Sequence, residues 1–276
     1  MAAREKNGTT IAAQFRARPG FKVNDEAADA KPMSSGDKDA DKAATVVLST
    51  RIAELQNVFF AAHARKMIVV LQGMDTSGKD GTVKGVFGII DPLGIRSVAF
   101  KAPTTVEREH DFLWRVHSQV PAQGEIVIFN RSHYEDVLIT KVHGWIDDAE
   151  CKRRYAHIRD FERMLAETGT VILKFFLHIS KDEQKRRFED RIADPAKHWK
   201  FDPNDLQERK SWSSYQDVYT RALQETDADH APWYVIPADS KTHRNLAIAT
   251  IMVETLEGMK LAFPDPHPEY STLTID

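Results

Sequence analysis

Residues 73–81 read "GMDTSGKDG" and follow the apolar run "MIVVLQ" (67–72). The spacing Gly73-x4-Gly78-Lys79 lets backbone N–H groups curl round a phosphate at a helix N-terminus, with Lys79 reaching the transferred group. An ordinary glycine-rich turn between strand and helix has the same spacing. The residue after the lysine is Asp80, where a phosphate-binding loop usually keeps a magnesium-ligating Ser or Thr. A second acid, Asp75, lies inside the loop. A carboxylate beside phosphate oxygens is repulsive unless a divalent cation lies between them, so Asp75 is expected to ligate Mg²⁺ directly or through water. Asp80, in the first helical turn, either joins the site or answers the helix dipole.

A second polar burst, "FNRSHYEDV" (129–137), ends the apolar run "EIVIFN". Ligands of open α/β sheets gather at the carboxyl ends of strands, so this burst belongs beside the loop. The Arg131 fork matches phosphate oxygens. Asn130 stands where a Walker-B carboxylate is usual, which moves the burden of metal compensation onto Asp75. Glu135 and Asp136 bind metal, nucleotide or water, or are solvated turn residues. Further on, "KDEQKRRFEDRIADPAKHWK" (181–200) places Arg187 and Arg191 on one helix face and continues with Lys197 and Lys200. Pairing with Glu183, Glu189 and Asp190 on a solvated face is one reading. Cations delivered to a phosphoryl transition state by a mobile lid are the other. Lys101, at a strand's carboxyl end, is a candidate phosphate contact. His110, Trp114, Arg115 and His117 read mostly as packing or salt-bridge residues. Trp199, Trp212 and Tyr215 form either lid core or a platform for a purine.

The elements that must hold these residues alternate. Helices are expected at 45–65, 79–90, 105–120, 147–167, 181–193, 211–226 and 243–261. Strands are expected at 67–72, 97–100, 125–130, 170–179 and 233–238, with the proline-bearing stretch 194–210 as loop or lid. Such alternation implies a parallel five-stranded sheet covered on both faces. Residues 1–44 hold few large apolar side chains and include "SSGDKDADKAA", so a partly disordered or surface-draped arm is expected, with the domain at 45–276 and a lid at about 181–212.

With 276 residues the chain is long enough for one large α/β domain. The balance of 38 basic against 41 acidic residues argues against a general nucleic-acid binder. No stretch approaches the roughly 20 apolar residues of a membrane span, and the N-terminal residues lack an h-region. One cysteine, Cys151, excludes an internal disulfide framework. A cytoplasmic setting is the expectation.

Together "FRARPGFKV", "LQGMDTSGKDGT", "FKAPT", "FNRSHYEDVL", "HWKF", "ERKSWSSYQDVY" and "APWYVIPADSK" resemble, in collinear order, the polyphosphate kinase 2 family of P-loop kinases. The single-domain class III members are the most alike. The resemblance implies a three-layer α/β/α P-loop kinase fold with a helical lid, and a dimer or tetramer. It implies reversible phosphoryl transfer between inorganic polyphosphate and AMP, ADP or guanine nucleotides, with Mg²⁺; the charge balance and the lack of an apolar span speak against nucleic acid and membrane as partners. It also implies that Asp75 and Lys79 are the metal and phosphate residues, and that Arg131 and Arg191 contact phosphates. Gly73, Gly78, Asp80, Lys101, Glu135, Arg187 and Lys197 complete the expected phosphate- and nucleotide-binding set. Glu135, a class III trait, would favour AMP by holding the metal where the extra phosphate of ADP otherwise does so. The competing readings are an ATP-dependent small-molecule or nucleoside monophosphate kinase and a non-catalytic nucleotide-binding regulator.

Overall fold

The computed structural model describes residues 10–275. Its strands are β1 (Lys66–Gln72), β2 (Ile95–Ala99), β3 (Ile126–Asn130), β4 (Thr170–His178) and β5 (Trp233–Pro237). Its helices are α1 (Ile11–Phe15), α2 (Lys38–Ala62), α3 (Lys79–Phe87), α4 (Thr105–Arg108), α5 (Trp114–His117), α6 (Ile139–Val142), α7 (Asp148–Glu167), α8 (Lys181–Ala193), α9 (Asn204–Glu208), α10 (Trp212–Thr226) and α11 (Lys241–Gly258). Six consecutive residues of β1, Met67–Gln72, are buried, because β1 is the centre of an all-parallel sheet in the order β2-β3-β1-β4-β5. A strand covered on both faces has no polar side to alternate, hence its continuous apolar run. Helices α2, α3 and α11 pack together as one layer, while α6, α7 and α10 associate as the other. The chain leaves β1 toward β2 but leaves β3 and β4 the opposite way. The loop after β1 therefore lies where the connections diverge, the usual place for a ligand crevice.

Two sequence expectations change. The helix expected at 105–120 is two short ones, α4 and α5. The Asp111 carboxylate accepts the Leu113 N–H at 2.9 Å, offering the backbone a turn in place of the helical ladder. The helix expected from 45 begins at Lys38, inside the stretch read as arm. Its polar run is a cap: Asp37 accepts the Asp39 N–H, and buried Asp41 accepts from Ser34 and Ser35. Residues 10–37 drape over β5 and α10. Ala17 N–H donates to the Trp233 carbonyl at 2.8 Å, and Arg16 is bidentate on Asp227. Asp25 accepts from Trp212 Nε1 at 3.1 Å and Gln216 Nε2 at 2.7 Å, tying the strap to the first turn of α10. The rest of the expected arm, residues 1–9, lies outside the described residues. Among the described residues no helix is long and apolar enough to cross a membrane.

Candidate active site

The loop between β1 and α3 needs its glycines. Gly73 has φ +156° and Gly78 has φ +100°. A Cβ on Gly73 would lie 2.6 Å from the Leu177 carbonyl oxygen, and one on Gly78 would collide with Arg244 Nη1. Gly78 is the N-cap of α3 and brings no side chain to cap it, so the first N–H groups of that helix are left for an anion. Lys79 is buried, and its ammonium donates to the Gly73 and Met74 carbonyls at 2.7 and 3.3 Å. Burial, helped by the Arg131 cation, pulls Lys79 down to about 8 against the pull of Asp75, Glu135 and Asp80.

The two loop acids do not stand unpaired. Arg131 Nη2 donates to Asp75 Oδ1 at 2.6 Å, and Arg131 Nη1 reaches Glu135 at 3.4 Å. Arg131 thus gives a counter-charge to Asp75, the residue expected to ligate Mg²⁺. Burial works against the Arg131 charge, but Glu135 and Asp75 outweigh it and raise its pKa. Arg131 has φ +61°, a costly backbone for a non-glycine residue, and its N–H is held by the Leu71 carbonyl. Glu135 also accepts from Gln72 at 3.1 Å. Asp80 accepts from Asn130 at 2.7 Å, so the residue in the Walker-B place holds the loop acid.

A cleft of about 530 Å³ opens beside the loop, lined by Lys79, Asp80, Arg131, Arg191, Lys197, Lys200, Lys241 and Arg244 among others. Its outer wall is α8, the turn of Pro195–Lys200 and α9, the stretch read as a lid. Arg191 lies 3.8 Å from Asp205 of α9, and Lys197 lies 2.7 Å from Asp194. Burial and the facing Asp75 push Asp205 up to about 6. Arg187 lines the cleft too, yet its guanidinium is engaged with the protein. It donates to Glu183, to the Thr76 and Ser77 carbonyls at 2.9 and 3.0 Å, and to Ala238 and Asp239. The geometry gives Arg187 the work of fastening the loop to the turn after β5. Trp212 and Tyr215 are buried at the lid's base, whereas Trp199 is exposed with the Lys200 ammonium over its ring.

A second, larger cleft of about 1220 Å³ lies beyond Arg131. Its walls are mixed: Phe112, Ile139, Trp145 and Ile146 with Lys101, Glu135, Asp136 and Arg154. Lys101 thus belongs to this side and not to the cationic cleft. Arg115 is buried, donating to the Lys101 carbonyl at 2.8 Å and to Asp136 at 3.4 Å. Arg131 lines both clefts.

Beneath the 130–137 segment lies a buried polar network that the sequence did not disclose. Lys174 of β4 donates to Glu162 at 2.6 Å, to the Tyr134 hydroxyl at 2.9 Å and to the Thr226 carbonyl at 2.8 Å. Glu162 also accepts from Tyr134 at 2.9 Å and lies 3.2 Å from His133 Nε2. Burial opposes both charges: it pulls Lys174 down, while Lys174 and His133 hold Glu162 below the usual carboxylate range. At 2.6 Å, with further hydrogen bonds on each partner, the two groups form a buried salt bridge. The adjacent His133 and Tyr134 are thereby anchored in the core, which fixes where Arg131 and Glu135 emerge.

Arg244 and Lys241 were also missed. Both follow the carboxyl end of β5 in "ADSKTHR", and the rule that singled out the burst after β3 would have found them there.

An ammonium and open helix N–H groups at the mouth of a cationic cleft suit one kind of chemistry, and the class they define here is the P-loop phosphotransferases. A profile of the polyphosphate kinase 2 (PPK2) family matches residues 35–264. The chain is 49% identical over 241 residues to the AMP/ADP-polyphosphate phosphotransferase of Meiothermus ruber, covering 87% of this chain and 90% of that one. It is 41% identical over 230 residues to the ADP-polyphosphate phosphotransferase of Rhodopseudomonas palustris, covering 79% and 80%. The crystal structure of polyphosphate kinase 2 from Arthrobacter aurescens TC1 superposes with a TM-score of 0.92 at 42% identity, covering 98% of this chain and 97% of that one. The chain belongs to the polyphosphate kinase 2 family.

Proposed function

We propose that this chain transfers a terminal phosphoryl group between inorganic polyphosphate and AMP or ADP, with guanine nucleotides as further acceptors. The observation that carries the reading is the meeting of two unlike clefts at Arg131. The smaller, cationic cleft suits a chain of phosphates with no apolar part. The wider one, with aromatic and aliphatic walls, suits a nucleoside. Names borne by the relatives, AMP/ADP- and ADP-polyphosphate phosphotransferase, support the same assignment.

The step needs no protein nucleophile. A terminal phosphate oxygen of the nucleotide attacks the end phosphorus of the chain in line. The bond to the penultimate phosphate breaks, and the shortened chain leaves with the electron pair. One phosphoanhydride is exchanged for another where an ADP or ATP forms, so the transfer runs in either direction. Lys79 and the α3 N–H groups hold the migrating group, and Arg131 fixes the two ends relative to each other. Arg191 and Lys197 bring positive charge from the lid, and Arg187 keeps the loop shaped. Asp75 and Glu135 fit Mg²⁺, which takes one or two protein carboxylates and completes its shell with phosphate oxygens and water. Such a site has fewer protein ligands than a cage of three acidic or imidazole groups, and no such cage occurs among the described residues. When bound, Mg²⁺ neutralises charge on the phosphate oxygens.

The test is donor use. With AMP, Mg²⁺ and long-chain polyphosphate but no ATP, ADP is expected to accumulate as the chain shortens. Transfer that occurs only when ATP is the donor would replace this reading with that of an ATP-dependent kinase.

A further inference from the structure

Arg244 sits in the first turns of α11, 2% exposed, on the wall of the cationic cleft. Its hydrogen bonds go to neutral oxygens: Nε and Nη2 to Asn245 Oδ1 at 3.1 and 2.9 Å, and Nη1 to the Ser77 carbonyl at 3.3 Å. A guanidinium has five N–H groups, so donors are left over. Its neighbours on the cleft are better compensated. Arg187 has Glu183 at 2.6 Å, Arg131 has Asp75 at 2.6 Å, and Arg191 has Asp205 at 3.8 Å. Burial, with the neighbouring Arg187 cation adding to it, pulls Arg244 down to about 9.

The fold goes to some length to admit this charge. A Cβ on Gly78 would meet Arg244 Nη1, one on Gly81 would lie 3.2 Å from Nη2, and one on Gly85 would meet Asn245 Nδ2. The N-cap glycine and two glycines of α3 thus leave room for Arg244 and Asn245. Holding the loop does not explain it, since Arg187 already donates to the Ser77 carbonyl at a shorter 3.0 Å. A buried charge without a counter-charge is unfavourable, and an apolar side chain of similar size would pack there at lower cost.

We propose that Arg244 is a binding residue for the polyphosphate chain, whose phosphate supplies the missing counter-charge beside the start of α3. The proposal rests on the transfer reading given above. It assigns the contact to the inorganic chain and not the nucleotide, because Arg244 shares its cleft with Lys197, Lys200 and Lys241 and does not line the cleft beyond Arg131.

The experiment compares R244M and R244K with the unsubstituted chain, reading KM for polyphosphate, KM for AMP, melting temperature, and the melting shift produced by polyphosphate alone. For R244M, the KM for polyphosphate should rise by about tenfold or more, as for a lost hydrogen bond to a charged group. Its KM for AMP should hold, and its melting temperature without ligand should stay or rise. The shift produced by polyphosphate should shrink, and R244K should recover part of both. A lowered melting temperature with unchanged KM for polyphosphate, or equal rises in both KM values, would overturn the proposal and leave Arg244 a structural clamp. If the unsubstituted chain moves no phosphate from polyphosphate, the transfer reading and this proposal fall together. If it is active and R244M matches it, Arg244 alone is refuted.

Discussion

Replacing Lys79 by Met is expected to lower kcat for transfer by about 10³-fold, the scale of losing one preorganised cation or donor at a phosphoryl transition state. The ammonium is buried at the start of α3 and its present acceptors are carbonyls of its own loop. An arriving phosphate competes for those donors with a full negative charge, and the interaction grows as charge spreads over the migrating group. Methionine has similar length and removes a charge that burial disfavours, so the variant should fold and melt near the parent. A pH signature accompanies the loss. In the free chain Lys79 is held at about 8, below the ordinary 10.5, by burial and by Arg131. The cationic form is present below that value and is lost as pH rises through it. The kcat/KM for polyphosphate, which reports the free enzyme, should fall on the alkaline side near pH 8. The limb in kcat should lie higher, because bound phosphate stabilises the ammonium. Residual activity of Lys79→Met should lack the limb. An unshifted limb in that variant would show that another group titrates there.

The second large effect concerns stability. Lys174→Met removes the cation from a network in which Lys174 and Glu162 are 0% and 2% exposed. Glu162 is then left buried with Tyr134 and His133, and loss of one partner of a buried pair costs about 3–5 kcal/mol. Urea unfolding followed by far-UV circular dichroism measures it. Lys174→Met combined with Glu162→Leu should recover much of the loss, because no unpaired charge remains. A single-variant loss below about 1 kcal/mol, the range of exposed pairs, would mean that the pair is not ionised in the core. Because His133 and Tyr134 share this network, the single variant should also loosen Arg131 and Glu135 and raise KM for both substrates.

The sheet was legible because a strand buried on both faces is a short apolar run bounded by polar turns, as in Met67–Gln72 and Ile126–Asn130. The loop and the burst after β3 were legible because chemistry at strand ends interrupts that pattern abruptly. What a linear reading could not give is partnership. Arg187 reads as a lid cation or as a partner of acids on its own helix, and it does pair with Glu183, but only the folding of α8 against the turn after β5 fills its other donors with carbonyls. Lys174 sits inside "TVILKFFLHI", where one lysine among apolar residues gives no hint that Glu162 of α7 lies below it. Nothing in the spelling of the loop announces that Arg131, 56 residues away, lies on the Asp75 carboxylate. The start of α2 was hidden because the serines and aspartates that cap a helix are the residues that also mark disordered chain.

The central claim is that two clefts joined at Arg131 hold both chains at once, so that the phosphate passes directly between them. Initial rates with AMP varied at several fixed polyphosphate concentrations test this most directly. The account predicts double-reciprocal lines that intersect, as a ternary complex requires. Parallel lines, the mark of a phosphorylated protein intermediate, would contradict it.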